Sequence, residues 1–256
     1  MKLSAQVRLA PGNSVAERIA CLAEAGYEAV EVHSDAVDHV GEYRSALSAA
    51  GVPAMSMCPA GRSLDLVADE YSQRRRIDQT RRALDACNEL GITALISVPV
   101  RGPLPADTVA QDQADSYVRA LEQLAPHAEA AGVTITVEPL NRYEMHLVNT
   151  LADGIAIAER VGSPRVKVLA DVFHMNIEED NVPASIRAAG DWIGHVHFAD
   201  NQRAHPGTGS TDFAAIYAAL RDIGYTGSTA LECRLRGDPA EALRQCAAYL
   251  RAARGS

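Results

Sequence analysis

Four short runs in the second half of the chain end in the same way: VTITVE (133–138), VKVLAD (166–171), GHVHF (194–198) and STALE (228–232). Side chains of an extended strand alternate between its two faces. Val133, Ile135 and Val137 make one apolar face, which leaves Thr134, Thr136 and Glu138 on the other. By the same alternation Val166, Val168 and Ala170 set Asp171 opposite, Val196 and Phe198 set His195 and His197 opposite, and Thr229 and Leu231 set Glu232 opposite. Glu138, Asp171, His197 and Glu232 therefore stand in one phase at four successive strand ends. Two glutamates, an aspartate and one imidazole form a hard, oxygen-rich set, which suits Mn2+, Mg2+ or Co2+ better than a thiolate-loving metal. Any one of these carboxylates could instead cap a helix or pair with an arginine. Four in phase point to a shared cation.

Such residues act together only if the chain brings the strand ends to one place. Eight strand candidates run along it: LSAQVRL, YEAVEVH, VPAMSMC, TALISVP, VTITVEP, VKVLAD, IGHVHF and STALEC. Amphipathic helical patterns lie between them, such as SVAERIACLAEAG, QTRRALDACNELG and YVRALEQLAPHAEAAG, and Gly26, Gly51, Gly91 and Gly132 stand where helix C-caps belong. Strand–helix alternation implies a parallel sheet, and eight units of about 32 residues imply one closed (β/α)8 TIM barrel over residues 1–256. No G-x-G-x-x-G follows the first strand to favour an open sheet. Chemistry in such barrels sits at the C-terminal ends of the strands, where the four residues fall. His195 points the same way one layer deeper and reads as a hydrogen-bonded core histidine. His205 reads as a loop residue, solvated or near substrate.

The chain has 256 residues, 47% of them hydrophobic and 22% charged, with a formal charge of −9. That acidity argues against a nucleic-acid partner, which requires a basic face. Five scattered cysteines without CxxC spacing argue against a zinc ribbon or disulfide framework, and point to the cytoplasm. No apolar run approaches a membrane span. The basic stretch RRRIDQTRR (74–82) reads as a solvated helix face, with Glu70 and Asp78 each four residues before an arginine. The loop HPGTG (205–209) offers backbone N–H groups that could cradle a phosphate. A Schiff-base lysine is disfavoured, because the chain has only Lys2 and Lys167 and the latter lies four residues below its strand end.

The segments VEPLNRYEMHLVNT, DVFHMNIEED, HVHFADNQRAHPGTG and ALECR resemble the sugar isomerase and epimerase family of xylose-isomerase-like barrels, above all the D-tagatose and D-psicose 3-epimerases. The spacings resemble that family too: 33 residues from Glu138 to Asp171, 26 on to His197 and 35 to Glu232. The resemblance implies that Glu138, Asp171, His197 and Glu232 bind one divalent metal, and that Glu138 and Glu232 are the catalytic acid/base pair. It implies that Glu144 contacts substrate or a metal-bound water, and that His174 and Arg203 hold substrate hydroxyls. Departures occur at His197-Phe198-Ala199-Asp200, where those epimerases carry HTGE, in the VRGPLPADT loop, which lacks their aromatic residue, and in the first strand, which lacks their aromatic residues.

The function so implied is ketose 3-epimerisation of a small sugar. A metal chelated by two sugar oxygens acidifies the carbon next to the carbonyl and stabilises the enediolate, and two carboxylates move the proton from one face to the other. Moving the proton between C1 and C2 instead gives an aldose–ketose isomerase, on a hydroxypyruvate or inosose-like substrate. Expelling a leaving group gives a metal-dependent lyase on an oxidised sugar or glycoside. A multi-metal endonuclease of the same superfamily would need further histidines at the third and fourth strand ends, where none stands. A non-catalytic sugar-binding barrel would have a broken ligand set, and this one is complete. A phosphorylated sugar and a homo-oligomer are both compatible with this pattern.

Overall fold

The structure, a computed structural model, describes residues 1–59, 61 and 65–255. Eight parallel strands close into a barrel in chain order: β1 (Lys2–Gln6), β2 (Ala29–His33), β3 (Ala54–Cys58), β4 (Ala94–Ser97), β5 (Thr134–Val137), β6 (Val166–Asp171), β7 (Ile193–Phe198) and β8 (Ser228–Leu231), with β8 pairing back on β1. Around them lie α1 (Val15–Ala25), α2 (Val40–Ala50), α3 (Glu70–Leu90), α4 (Ala110–Ala131), α5 (Leu151–Val161), α6 (Val172–Glu178), α7 (Val182–Ala189), α8 (Phe213–Asp222) and α9 (Pro239–Gly255). The expected (β/α)8 order holds, with one addition. Two helices, not one, follow β6, because α6 stops at Glu178 and Asn181 caps a fresh start with Pro183 in its first turn. The four glycines expected as C-caps do end α1, α2, α3 and α4 in the left-handed region, with φ between 67° and 94°.

The outward strand faces and the inner faces of the helices share one apolar core, which includes Val133, Ile135, Val137, Val166, Val168, Ala170, Val196 and Phe198. The inward faces differ. Among the described residues, Cys58, Ile96 and Leu169 form a separate small apolar cluster, whereas Gln6, Glu31, Ser56, Thr136 and His195 are all buried polar residues. A buried polar group needs hydrogen-bond partners, so a barrel filled in this way is a network, and the network positions the mouth. Lys167 belongs to the opposite end, where its Nζ donates to the carbonyl of Asp191 (2.7 Å), far from any Schiff-base role. The basic stretch on α3 is salt-bridged as expected at Glu70–Arg74. Asp78, however, pairs with Arg81, and Arg82 reaches Asp38.

Candidate active site at the mouth of the barrel

The backbone brings the four in-phase residues to one rim. Asp171 ends β6 in register with His197 of β7, and His197 in turn lies beside Ala230 of β8. Glu138 and Glu232 stand just past β5 and β8, their N–H groups donating to Ser97 O (2.9 Å) and Phe198 O (3.2 Å). Candidate donor atoms of all four side chains lie within 4.8 Å of one another. At the centre is His197 Nδ1, which is 3.4 Å from Glu138 Oε1, 3.5 Å from Asp171 Oδ2 and 3.3 Å from Glu232 Oε2. It is buried and makes no hydrogen bond.

That orphaned nitrogen fits a cation. Metal–oxygen bonds of about 2.1 Å set opposite ligands about 4.2 Å apart, within the span seen here. The other nitrogen of His197, Nε2, lies 3.1 Å from Glu31 Oε2. Glu31 also accepts from Gln6 Nε2 (2.8 Å), Ser56 Oγ (2.7 Å) and His195 Nε2 (2.8 Å). Burial alone would raise the Glu31 pKa, but His197 and His195 hold it well below the usual range. Burial works to lower the His197 pKa, but Glu31 and Glu232 raise it well above its usual value, so in the metal-free protein Nδ1 carries a proton that a cation would displace. An ionised Glu31 then keeps the other proton on Nε2 and turns the Nδ1 lone pair to that cation. His195 is thus the hydrogen-bonded core histidine expected. Glu31 itself was not singled out in the sequence: it shares the inward phase of AVEVH with His33, and its role rests on His195 and His197 across the barrel.

Arg203 supplies the positive charge at this rim. Its Nη1 donates to Asp171 Oδ1 (3.1 Å) and Oδ2 (2.9 Å), and its Nη2 to Glu232 Oε2. The guanidinium also lies over the Phe173 ring, 4.7 Å from its centroid. Burial works to raise all three rim carboxyls, yet Arg203 outweighs it at two of them. Glu232 falls to about 2 under Arg203 and His197, and Asp171 falls well below its usual value under Arg203 and His174. Glu138, lacking an arginine, is pushed up by burial and then by the negative field of Glu232 and Asp171.

Both remaining substrate candidates are organised by Asn141. Its N–H and Nδ2 donate to His174 Nδ1 (3.0 and 2.8 Å), and Nδ2 also reaches Glu144 Oε1 (3.0 Å). Accepting at Nδ1 leaves the His174 proton on Nε2, available as a donor. The Asp171 carboxylate caps α6 by accepting from Phe173 N (2.9 Å) and His174 N (3.3 Å), which fixes His174 relative to the cluster. Glu144, Arg203 and Glu232 line one cavity of about 320 Å³ together with Arg8 and Arg234. Arg8 is a second residue the sequence did not mark: it follows β1 in a single turn of 3-10 helix and donates to Glu232 Oε1 (3.3 Å).

The HPGTG loop departs from expectation in an instructive way. The N–H groups of Gly207 (3.1 Å), Gly209 (2.7 Å) and Thr211 (3.1 Å) all donate to the carboxylate of Asp200. The anion in this cradle is the protein's own aspartate, so the loop does not present those groups to a phosphate. His205, expected to be solvated or near substrate, is buried, its Nδ1 accepting from Arg236 N (3.3 Å), which removes the solvated alternative.

The sequence profile of the xylose isomerase-like TIM barrel family matches residues 19–253. A 3-dehydro-D-guloside 4-epimerase of Escherichia coli is 32% identical over 98% of this chain and 99% of its own length. A D-psicose 3-epimerase of Agrobacterium fabrum is 44% identical over 47% of this chain and 43% of its own length. Among solved structures, an apo 3-keto-D-glucoside 4-epimerase from E. coli matches with a TM-score of 0.92 and 31% identity, covering 98% of this chain and 99% of that one. A D-psicose 3-epimerase studied with D-fructose matches with a TM-score of 0.90 and 25% identity over 100% of both chains.

Proposed function

The chain belongs to the xylose isomerase-like TIM barrel family, and from that premise we propose that it is a divalent-metal-dependent carbohydrate epimerase inverting a carbon next to a sugar ketone. One observation carries the reading: Glu138 and Glu232 reach the same point from strands three apart around the ring, each within 3.4 Å of the unpartnered His197 Nδ1. Two carboxylates on different walls can take a proton from one face of a carbon and deliver one to the other, and the exchange of roles makes the reaction reversible.

Glu138, Asp171, His197 and Glu232 would hold the cation, with Mn2+ the best match to the donor set. When bound, it supplies the Lewis acidity that makes a sugar C–H acidic enough for a carboxylate to remove its proton. The protein's own groups do the rest. His174 Nε2–H and the Arg203 guanidinium hold substrate oxygens, Glu144 closes the outer side, and the Phe173 ring under Arg203 keeps that guanidinium in place. C3 of a free ketose is the carbon the sequence motifs favour. The end-to-end match to the E. coli 4-epimerase favours a second reading, C4 of a 3-keto sugar.

Proton NMR in D2O tests the proposal. The Mn2+-loaded enzyme is incubated with free ketoses and 3-keto glucosides, the metal is removed, and the deuterated carbon is read. Deuterium at C3 or C4 with a new epimer is the expected result, and Glu138→Gln and Glu232→Gln should each abolish it with the fold unchanged. Epimer formation retained in either variant overturns the two-carboxylate mechanism. Deuterium at C2 of an aldose product, with label at C1 of the recovered ketose, would make it an isomerase, and elimination without exchange a lyase.

A further inference from the structure

The cavity above Glu232 is basic on one wall. Three of its lining residues are Arg8, Arg203 and Arg234, against the carboxylates of Glu144 and Glu232. Arg203 is committed to Asp171 and Glu232. Arg8 is half exposed yet firmly aimed: its Nε donates to Gln6 Oε1 (2.7 Å), and Gln6, fully buried, is anchored by Glu31 (2.8 Å). A surface arginine left to water does not need a buried glutamine to orient it. Among the described residues nothing accepts from Arg8 Nη1, and no carboxylate lies within ion-pair distance of Arg234. The backbone of Arg234 is nevertheless fixed, its N–H donating to Arg203 O (2.7 Å) and its carbonyl accepting from His205 N (3.1 Å).

A third group, His33, stands near this wall without lining the cavity. His33 ends β2 two residues beyond Glu31, so strand alternation puts it on the same inward face one layer nearer the mouth. Its Nε2 is buried without a hydrogen-bond partner, a costly arrangement unless a ligand completes it. It lies within the electrostatic reach of Glu31, Arg8, Asp35 and Glu232.

We propose that Arg8 and Arg234 form an anion subsite, and that the sugar this enzyme turns over carries a carboxylate or phosphate close to the carbon Glu232 faces. The inference rests on the epimerase reading and narrows its substrate class. Glu232 divides the two regions, its Oε2 turned to His197 and its Oε1 to Arg8. A cation held by the four rim residues would offset the charge of Asp171 and Glu232, and the guanidiniums would then be in surplus. Arginine forks suit a planar carboxylate or a phosphate through paired N–H donors.

The test is binding to the Mn2+-loaded enzyme by calorimetry, using D-fructose against D-fructuronate and methyl glucoside against its uronate, with fructose 6-phosphate as the phosphate arm. At least one charged sugar is expected to bind tenfold or more tightly than its neutral partner. Arg8→Met and Arg234→Met should each cut that ratio about tenfold, and added salt should shrink it. Whichever arm shows the preference identifies carboxylate or phosphate. Equal affinities within every pair, a ratio unmoved by both substitutions, or no binding of any charged sugar overturns the subsite. Deuterium exchange keeps the two proposals separate. Exchange on neutral sugars without a charge preference leaves the epimerase and removes the subsite; an arginine-dependent preference without exchange does the reverse.

Discussion

His197 Nε2 lies 3.1 Å from Glu31 Oε2, and that contact decides what the other nitrogen of the ring can do. With one proton held on Nε2, a cation seated among Glu138, Asp171 and Glu232 would displace the other and meet the Nδ1 lone pair. Replacing Glu31 by glutamine puts an amide where the acceptor was, and its N–H2 group competes to donate to His197. Glu31→Gln is therefore expected to weaken Mn2+ binding by about 10–100-fold, the usual effect of losing a ligand's hydrogen-bond partner. Calorimetric titration with Mn2+ reads this directly. Unchanged affinity would show that His197 does not bind through Nδ1.

The contrast between Glu31 and the four rim residues marks how far the sequence could be read. Glu138, Asp171, His197 and Glu232 announce themselves because each breaks, in phase, an alternation visible within its own strand. Glu31 has the same geometry, but its meaning depends on His195 and His197, which are 164 and 166 residues away in the chain. Arg8 likewise acquires its role from Glu232, 224 residues distant. Local pattern exposes the strands, the helix caps and the ring order. Contacts made only by closing the barrel stay hidden, and so did the split between α6 and α7, which Asn181 and Pro183 set.

Asp200 and Gly209 form a second interlocked pair. Gly209 N donates to Asp200 Oδ2 (2.7 Å), and a Cβ on Gly209 would stand only 2.3 Å from Asp200 Oδ1 and 2.1 Å from Asn201 Oδ1. The glycine is required because a carboxylate fills the loop. Asp200→Ala leaves at least three backbone donors without their acceptor and is expected to cost about 2–4 kcal/mol, as hydrogen bonds to a charged group are worth about 1.5–3 kcal/mol each. Gly209→Ala should destabilise through the collision. The double variant should lose clearly less than the two single losses together, because removing the carboxylate opens part of the space the methyl needs. Urea denaturation of the four proteins gives the coupling, and strict additivity would mean that the two residues act separately.

Arg203 allows the electrostatics of the rim to be separated from its packing. In the metal-free enzyme, burial tends to raise the Glu232 pKa, but Arg203 and His197 bring it down to about 2 from an ordinary 4.5, and Asp171 is lowered in the same direction. A carboxyl whose folded-state pKa is depressed contributes stability above its unfolded pKa and loses it as pH falls through the folded value. The contribution is thus fully present at pH 7 and fades between about pH 4.5 and 2. Glu138, raised by burial and its acidic neighbours, has the opposite sign, and protonating it relieves the rim as pH falls. Arg203→Met removes the charge but keeps an apolar chain against Phe173. Metal-free Arg203→Met should therefore fall furthest below the wild type in thermal stability at neutral pH, with the gap narrowing steadily towards pH 3. Melting curves across that range distinguish the causes: a gap that stays constant with pH would mean that Arg203 stabilises the rim through its stacking on Phe173 and not through the carboxylates.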